Sequence, residues 1–116
     1  MLTSVLTELN GTSADIEASG VISTDGLMMA SVLPAGMDED RVGAMSAAML
    51  SLGDRTAQEL SRGNLEQVLI KGARGYVLMT YAGQEAVLTV LAKPNAKLGL
   101  IFLDVKRAAE SISEML

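Results

Sequence analysis

The middle of the chain, residues 38–63, has the hydrophobic spacing of one long amphipathic helix, and it constrains the fold more than any other segment. Asp38 is a suitable N-cap, because a carboxylate accepts backbone N–H groups that have no partner within the helix. Glu39 and Asp40 add negative charge at the positive end of the helix dipole. Gly63 tolerates the left-handed backbone that often ends a helix. We therefore predict a helix from Asp38 to Gly63.

One face of this helix carries large apolar side chains. Residues three and four positions apart lie on the same side of a helix, so this stripe forms a continuous surface. We expect it to cover the core of the domain. The stripe comprises Val42, Met45, Met49, Leu52, Thr56 and Leu60.

The opposite face carries small residues where a solvent-facing helix usually carries Lys and Glu. Either a second helix packs there, or Ala is present because it is the best helix former and faces water. An antiparallel copy that crosses at Ala47 and Ala48 brings Arg41 of one chain level with Asp54 of the other. It also brings Asp40 level with Arg55. The small face comprises Gly43, Ala44, Ala47, Ala48 and Ser51.

Segments typical of β-strands and hairpins flank the long helix on both sides. The apolar runs are short and separated by Gly-containing turns, as in antiparallel hairpins. The order is helix, two strands, long helix, three strands, helix, which predicts a sheet with helices on both faces. The predicted strands are 16–23, 27–32, 65–71, 75–81 and 85–92, and the predicted terminal helices start at residues 2 and 98.

Two of these strands differ in their expected surroundings. Residues 86–92 are almost continuously apolar, as expected of a central strand that is covered on both faces. Residues 65–71 mix polar and apolar side chains, which is more typical of an edge strand that needs protection or a partner. We expect Leu65, Gln67 and Leu69 to lie at an interface with another chain, together with the small face and Arg55.

Composition limits the function further. With 116 residues, 49% of them hydrophobic, the chain has room for one domain, residues 1–116. A mean hydropathy of +0.33 suggests that some apolar surface is buried against a partner. The net charge is -5, and no basic cluster is longer than two residues, which argues against nucleic acid and anionic membranes as partners. The N-terminal residues lack a basic leader, so we expect a cytoplasmic protein without membrane insertion.

The residue types present do not favour catalysis. The chain has no His and no Cys, the usual bases, nucleophiles and metal ligands. The acidic run at residues 38–40 is explained by helix capping, and no phosphate-binding glycine motif is present. The turn at 71–75 carries two cations, and a solvated hairpin tip explains it better than an anion site does. We expect no catalytic residues, metal or cofactor, and hence no enzyme.

The chain resembles the roadblock family, which includes roadblock-type dynein light chains and bacterial MglB-like regulators of small GTPases. The resemblance covers nearly the full length, and its segments occur in the family's order. They are VISTDG at 21–26, LPAG at 33–36, GNLEQV at 63–68, GARGY at 72–76 and NAKLGL at 95–100.

This resemblance implies an α+β, three-layer α/β/α fold of the roadblock, profilin-like type. It implies a five-stranded antiparallel sheet of order 2-1-5-4-3, with the long helix on one face and the terminal helices on the other. It also implies a homodimer, or a heterodimer with a paralogue, in which the long helices pack together and the third strands join into one sheet.

The function that the resemblance implies is non-enzymatic regulation or scaffolding of a Ras-like small GTPase, in some members by remodelling the GTPase switch regions. The exposed cations Arg62, Lys71 and Arg74 are our candidate GTPase contacts. An alternative is a structural dimerisation module that joins other proteins without nucleotide dependence. A third, weaker possibility is a small-molecule sensor.

Overall fold

The chain folds into one five-stranded antiparallel sheet between two helical layers, in a computed structural model that describes residues 1–116. The strand order β2-β1-β5-β4-β3 confirms the predicted topology. The helices are α1 (Leu2–Thr12), α2 (Glu39–Glu59) and α3 (Leu98–Met115). The strands are β1 (Ile16–Ser23), β2 (Met28–Val32), β3 (Gln67–Gly72), β4 (Gly75–Ala82) and β5 (Ala86–Ala92).

Strand β5 lies in the centre of the sheet, between β1 and β4, as its apolar sequence predicted. Strand β3 lies at one edge and pairs only with β4, which confirms that this segment is an edge strand. The β3–β4 turn also needs a glycine. A Cβ on Gly75 would lie 2.3 Å from the carbonyl oxygen of Ala92, so any larger residue would push this hairpin away from β5.

Helices α1 and α3 cover one face of the sheet, and this layer holds most of the core. Fifteen buried residues form a single cluster there. Because an apolar side chain removed from water contributes roughly 1.5–3 kcal/mol, this cluster is the main source of stability. Its fully buried members include Leu6 from α1, Val21, Leu88 and Val90 from the sheet, and Ile101 and Ile112 from α3.

Helix α2 crosses the other face above a much smaller cluster. Only Ile22, Leu50, Met79 and Val87 are buried together there. Next to them a polar pair joins the helix to the sheet, because the Thr89 hydroxyl donates a buried hydrogen bond of 2.8 Å to the Ser46 hydroxyl oxygen. The sheet is therefore packed unequally on its two faces.

The start of α2 confirms the predicted cap, and its end differs from the prediction. The Asp38 carboxylate accepts hydrogen bonds from the backbone N–H groups of Asp40 and Arg41. The helix ends at Glu59, four residues before Gly63, because Ser61 has a positive φ of 59°. This left-handed residue turns the chain out of the helix before the glycine is reached.

The predicted core-facing stripe of α2 is only partly correct, because the helix is rotated about its axis relative to that prediction. Met49 packs against the small cluster and Val42 is half-buried, but the other four members of the stripe are exposed. Met45, Leu52 and Leu60 are 52%, 60% and 65% exposed. The residues of α2 that are buried are Gly43, Ser46 and Leu50.

Close packing at glycines explains this rotation. A Cβ on Gly43 would lie 2.6 Å from the carbonyl oxygen of Gly26, in the β1–β2 turn. A Cβ on Gly53 would lie 3.1 Å from side-chain atoms of Leu65 and Val68. The helix approaches the sheet through these small positions. Met45, Leu52 and Leu60 therefore point away from the sheet. None of the three helices is long and apolar enough to cross a membrane.

Candidate interaction surface

The outer edge of β3 is open along its whole length. Its residues pair with β4 on one side only. Val68 and Ile70 lie on the same face of the sheet as α2, and Leu69 lies on the α3 face, where it is 41% exposed. An exposed edge strand with apolar side chains is a template for pairing with another chain.

The opposite edge of the sheet, β2, is protected. Helix α1 packs on it, and Ala30 and Val32 point into the large core. The Ser31 hydroxyl donates a 2.6 Å hydrogen bond to the Glu39 carboxylate, which places a negative charge beside this edge. Charge near an edge strand disfavours strand addition. The β3 edge is thus the one available for pairing.

Beside the β3 edge, the flank of α2 forms two adjoining apolar grooves. The first, which we call the N-groove, lies along the N-terminal half of α2 and has a volume of about 760 Å³. The second, the C-groove, lies along the C-terminal half and has a volume of about 380 Å³. Met49 lines both. The N-groove is lined chiefly by Met37, Met45, Ile70, Val77 and Leu91, and the C-groove by Leu52, Thr56, Leu60, Leu65 and Val68.

Charged residues stand at both ends of this flank. Asp38 and Arg41 line the N-groove, and Arg62 lines the C-groove. Near the C-terminal end of α2, Arg55 forms an exposed 3.4 Å ion pair with Glu59. An exposed i,i+4 pair of this kind contributes only about 0.3–0.5 kcal/mol, so both side chains are free to find other partners.

The predicted small face of α2 is divided between different surroundings. Gly43 is buried under the chain's own β1–β2 turn, so its assignment to a free face is wrong. Ala44 and Ala47 lie beside the same turn, close to Gly26. Ala48 lines the N-groove, and Ser51 is exposed.

The predicted residues of the edge segment remain accessible. Leu65 is half-buried in the C-groove. Gln67 and Leu69 are exposed on the α3 face of β3. These positions remain a prediction for an interface, and the geometry of the edge brings them next to the two grooves.

The three predicted cationic contacts do not form one cluster within a chain. Arg62 precedes β3, whereas Lys71 and Arg74 lie at its far end. At about 3.4 Å per residue, the length of the strand separates them by roughly 20 Å. All three side chains are exposed.

Chemistry other than binding has little support in this surface. No group of three or more acidic residues is arranged to hold a metal ion. Burial raises the pKa of Tyr81 above its ordinary value of 10.0, and the nearby Asp54 carboxylate adds to the shift. Asp54 itself accepts the backbone N–H of Leu65, a structural role at the start of the edge segment.

Comparison with known proteins decides the family. The Roadblock/LC7 domain family model matches residues 2–92. The chain belongs to the Roadblock/LC7 domain family. Uncharacterized protein MJ1340 of Methanocaldococcus jannaschii is 46% identical over 115 residues, which cover 99% of each chain.

Solved roadblock structures share the fold. Myxococcus xanthus MglB superimposes with a TM-score of 0.91 at 18% identity, covering 98% of this chain and 93% of that one. A Roadblock/LC7 domain from Streptomyces avermitilis gives a TM-score of 0.91 at 18% identity, covering 97% and 95%. These matches confirm the roadblock architecture.

Within this roadblock fold, sequence reasoning missed the large residues of the interaction surface. Most of the stripe assigned to the core faces outward, and a signal for this was present. Gly43 and Gly53 are ten positions apart, which places them about 80° apart, within one quarter of the circumference of a helix with 3.6 residues per turn. Two glycines on one side of a long helix indicate close packing there. The missed surface residues are Met37, Met45, Leu52, Leu60 and Ile70.

Proposed function

We propose that this roadblock protein is a dimeric, non-enzymatic regulator or scaffold of a Ras-like small GTPase. The observation that carries the proposal is the continuous apolar surface formed by the β3 edge and the α2 flank. It combines unpaired backbone groups with exposed Leu and Met side chains, as in protein interfaces.

A second copy of the chain is the partner that fits this surface. Antiparallel pairing of two β3 edges about a two-fold axis continues the sheet across the dimer. That axis stands perpendicular to the sheet, so both α2 helices lie on the same face and run antiparallel to each other. Burial of Met45, Leu52 and Leu60 against the other copy then contributes roughly 1.5–3 kcal/mol for each side chain that becomes fully covered.

The GTPase role is supported by family membership and by the likeness of the fold to MglB. Without His or Cys, the chain offers no usual general base. An effect on hydrolysis therefore acts by positioning the GTPase's own residues, which is sufficient in principle because phosphoryl transfer depends on positioning and charge stabilisation. Arg62, Lys71 and Arg74 are the cations that can contact an acidic partner surface.

The test uses a Ras-like small GTPase from the same organism, loaded with GDP or with a non-hydrolysable GTP analogue. We expect binding to one nucleotide state about tenfold tighter than to the other, measured by calorimetry, or a changed rate of GTP hydrolysis. Equal binding to both states with unchanged hydrolysis supports the structural dimerisation module instead. No binding in either state overturns the GTPase proposal.

A further inference from the structure

We propose that the groove between α3 and strands β3 and β4 binds a basic amphipathic helix of another protein. Such a helix has apolar side chains on one face and Lys or Arg beside them. The groove, which we call the α3 groove, lies on the face of the sheet opposite to α2 and is formed within one chain. The inference therefore does not rest on the proposed dimer or on the proposed GTPase role.

The α3 groove exists because the two helices of this face do not cover the whole sheet. Helix α1 packs on β1 and β2, and α3 packs on β4 and β5. Strand β3 is left over, and its Gln67 and Leu69 side chains are exposed on this face. The space beside α3 has a volume of about 650 Å³.

A helix is the element whose width fits this space. Neighbouring strands lie about 4.8 Å apart, so β3 is roughly 7 Å from the midline between β4 and β5. Packed helices have their axes about 8–10 Å apart, which places a helix beside α3 over β3 and its open edge. Such a helix would cover β3 as α3 covers β4 and β5.

The floor of the α3 groove is apolar. Phe102, Val105 and Ala109 line it from α3, at the three- and four-residue spacing of one helix side. Phe102 is only half-buried, so part of its ring still contacts solvent. Ala109 carries only a methyl group, which lets the backbone of a docked helix come close. Amphipathic helices are bound in apolar grooves of this kind.

The rim of the α3 groove is acidic. Glu110 and Glu114 lie one turn apart on α3, and Glu66 lines the groove from the segment before β3. Lys106 is the only cation of the lining, so three carboxylates and one ammonium give the lining a net charge of −2. The charge complementary to this rim is positive. A partner helix with basic residues one turn apart meets Glu110 and Glu114 together.

These carboxylates are not explained by the stability of the chain itself. The ion pair between Arg55 and Glu59 is the only one in the chain, so Glu66, Glu110 and Glu114 have no cationic partner within 4.0 Å. Glu114 lies in the last turn of α3, at the negative end of the helix dipole, where Lys and Arg are favoured. No basic residue occupies that turn. A cationic partner would relieve this unfavourable arrangement.

A designed peptide tests the inference. The probe is a fluorescein-labelled peptide of about 16 residues, roughly 24 Å long as a helix, with Leu and Ala on one face and Lys on both flanks. In one control peptide every Lys is replaced by Glu. A second control peptide has the probe's composition in an order that forms no apolar face. We expect the probe to bind the native chain at least about tenfold more tightly than either control, measured by fluorescence anisotropy.

Charge reversal on the rim locates the binding. The double variant Glu110→Lys, Glu114→Lys changes two exposed positions and is expected to weaken probe binding about tenfold. The matched control is Glu8→Lys, Asp25→Lys, which makes the same change in net charge on α1 and in the β1–β2 turn. We expect the control variant to bind the probe as the native chain does. Circular dichroism verifies that both variants are folded.

Amide chemical shifts of the native chain show where the probe lies. We expect the largest changes at Gln67, Thr80 and Phe102, which line the α3 groove. Changes concentrated at Met45 and Leu52 would place the probe on the α2 flank and overturn the inference.

Three further results would also overturn it. They are no binding of the probe, equal binding of the control peptide without an apolar face, and equal weakening in both double variants. The proposed dimer and GTPase role are tested separately, since the interface proposed for them uses the α2 flank and the β3 edge.

Discussion

The two faces of the sheet differ in how much of their apolar surface the chain itself buries. On the α1/α3 face, a cluster of fifteen buried residues closes the core with the chain's own side chains. On the α2 face the buried cluster has four residues. Helix α2 is the longest in the molecule at 21 residues, yet only Gly43, Ser46 and Leu50 of it are buried. The first face is covered by the chain's own helices, and the second leaves Met45, Leu52 and Leu60 exposed.

Because of this difference, we expect the stability of the fold and the association of two chains to depend on different residues. Substitutions on the α1/α3 face are expected to change the unfolding free energy of the chain. Substitutions on the outer flank of α2 and on β3 are expected to change the dimer and leave the fold intact.

The largest effect is expected from Ile112→Ala in α3. Ile112 is fully buried in the large cluster, so its truncation loses apolar burial and leaves a cavity. We expect a loss of about 2–5 kcal/mol in the free energy of unfolding, measured in urea at fixed protein concentration. A loss below about 1 kcal/mol would mean that this face is not the main source of stability.

A smaller effect is expected from Ile70→Lys on the β3 edge. The ammonium group would lie where apolar side chains of two copies meet, and it would raise the dissociation constant of the dimer about 10- to 100-fold, or roughly 1.4–2.7 kcal/mol. Sedimentation over a range of concentrations measures this. The matched control is Leu100→Lys on the exposed side of α3, which we expect to leave the dissociation constant unchanged.

The polar link between α2 and the sheet gives the next prediction. Ser46→Ala leaves the buried Thr89 hydroxyl without its acceptor, at a cost of about 1–2 kcal/mol in unfolding free energy. The double variant Ser46→Ala, Thr89→Val removes both polar groups and is expected to recover part of that loss. A double variant less stable than the sum of the two single variants would contradict this explanation.

The smallest effect concerns alkaline pH. Burial, with a contribution from Asp54, raises the pKa of Tyr81, so the folded state favours the neutral phenol. This stability is fully present below pH 10.0 and is lost as the pH rises through the higher pKa of the folded state. Unfolding measured at pH 8 and pH 11 is expected to show a smaller loss for Tyr81→Phe than for the native chain. Equal losses of unfolding free energy in the two proteins would show that Tyr81 does not cause the pH dependence of stability.

Alternation and turn residues predicted the strands well, and the resemblance to the roadblock family supplied their order. It also identified β3 as an edge from the polar residues mixed into it. The mixture of polar and apolar residues in a strand is a local pattern, so a single sequence contains it.

The orientation of α2 was predicted incorrectly. Large residues such as Leu52 were assigned to the inside by hydrophobicity alone. The deciding fact is tertiary: Gly43 packs against a carbonyl oxygen of the β1–β2 turn and fixes which side faces the sheet. For the same reason the part of the candidate interface that lies on α2 was placed on small residues and Arg55, whereas the structure also exposes Met45, Leu52 and Leu60.

The mass of Leu52→Glu in solution tests most directly whether the exposed flank of α2 is a dimer interface. Light scattering at equal concentrations compares it with the native chain and with Leu103→Glu, a matched change on the exposed side of α3. We expect dimers for the native chain and Leu103→Glu, and a folded monomer for Leu52→Glu by circular dichroism. A dimeric mass for Leu52→Glu, equal to that of the native chain, would show that this flank of α2 is not the dimer interface.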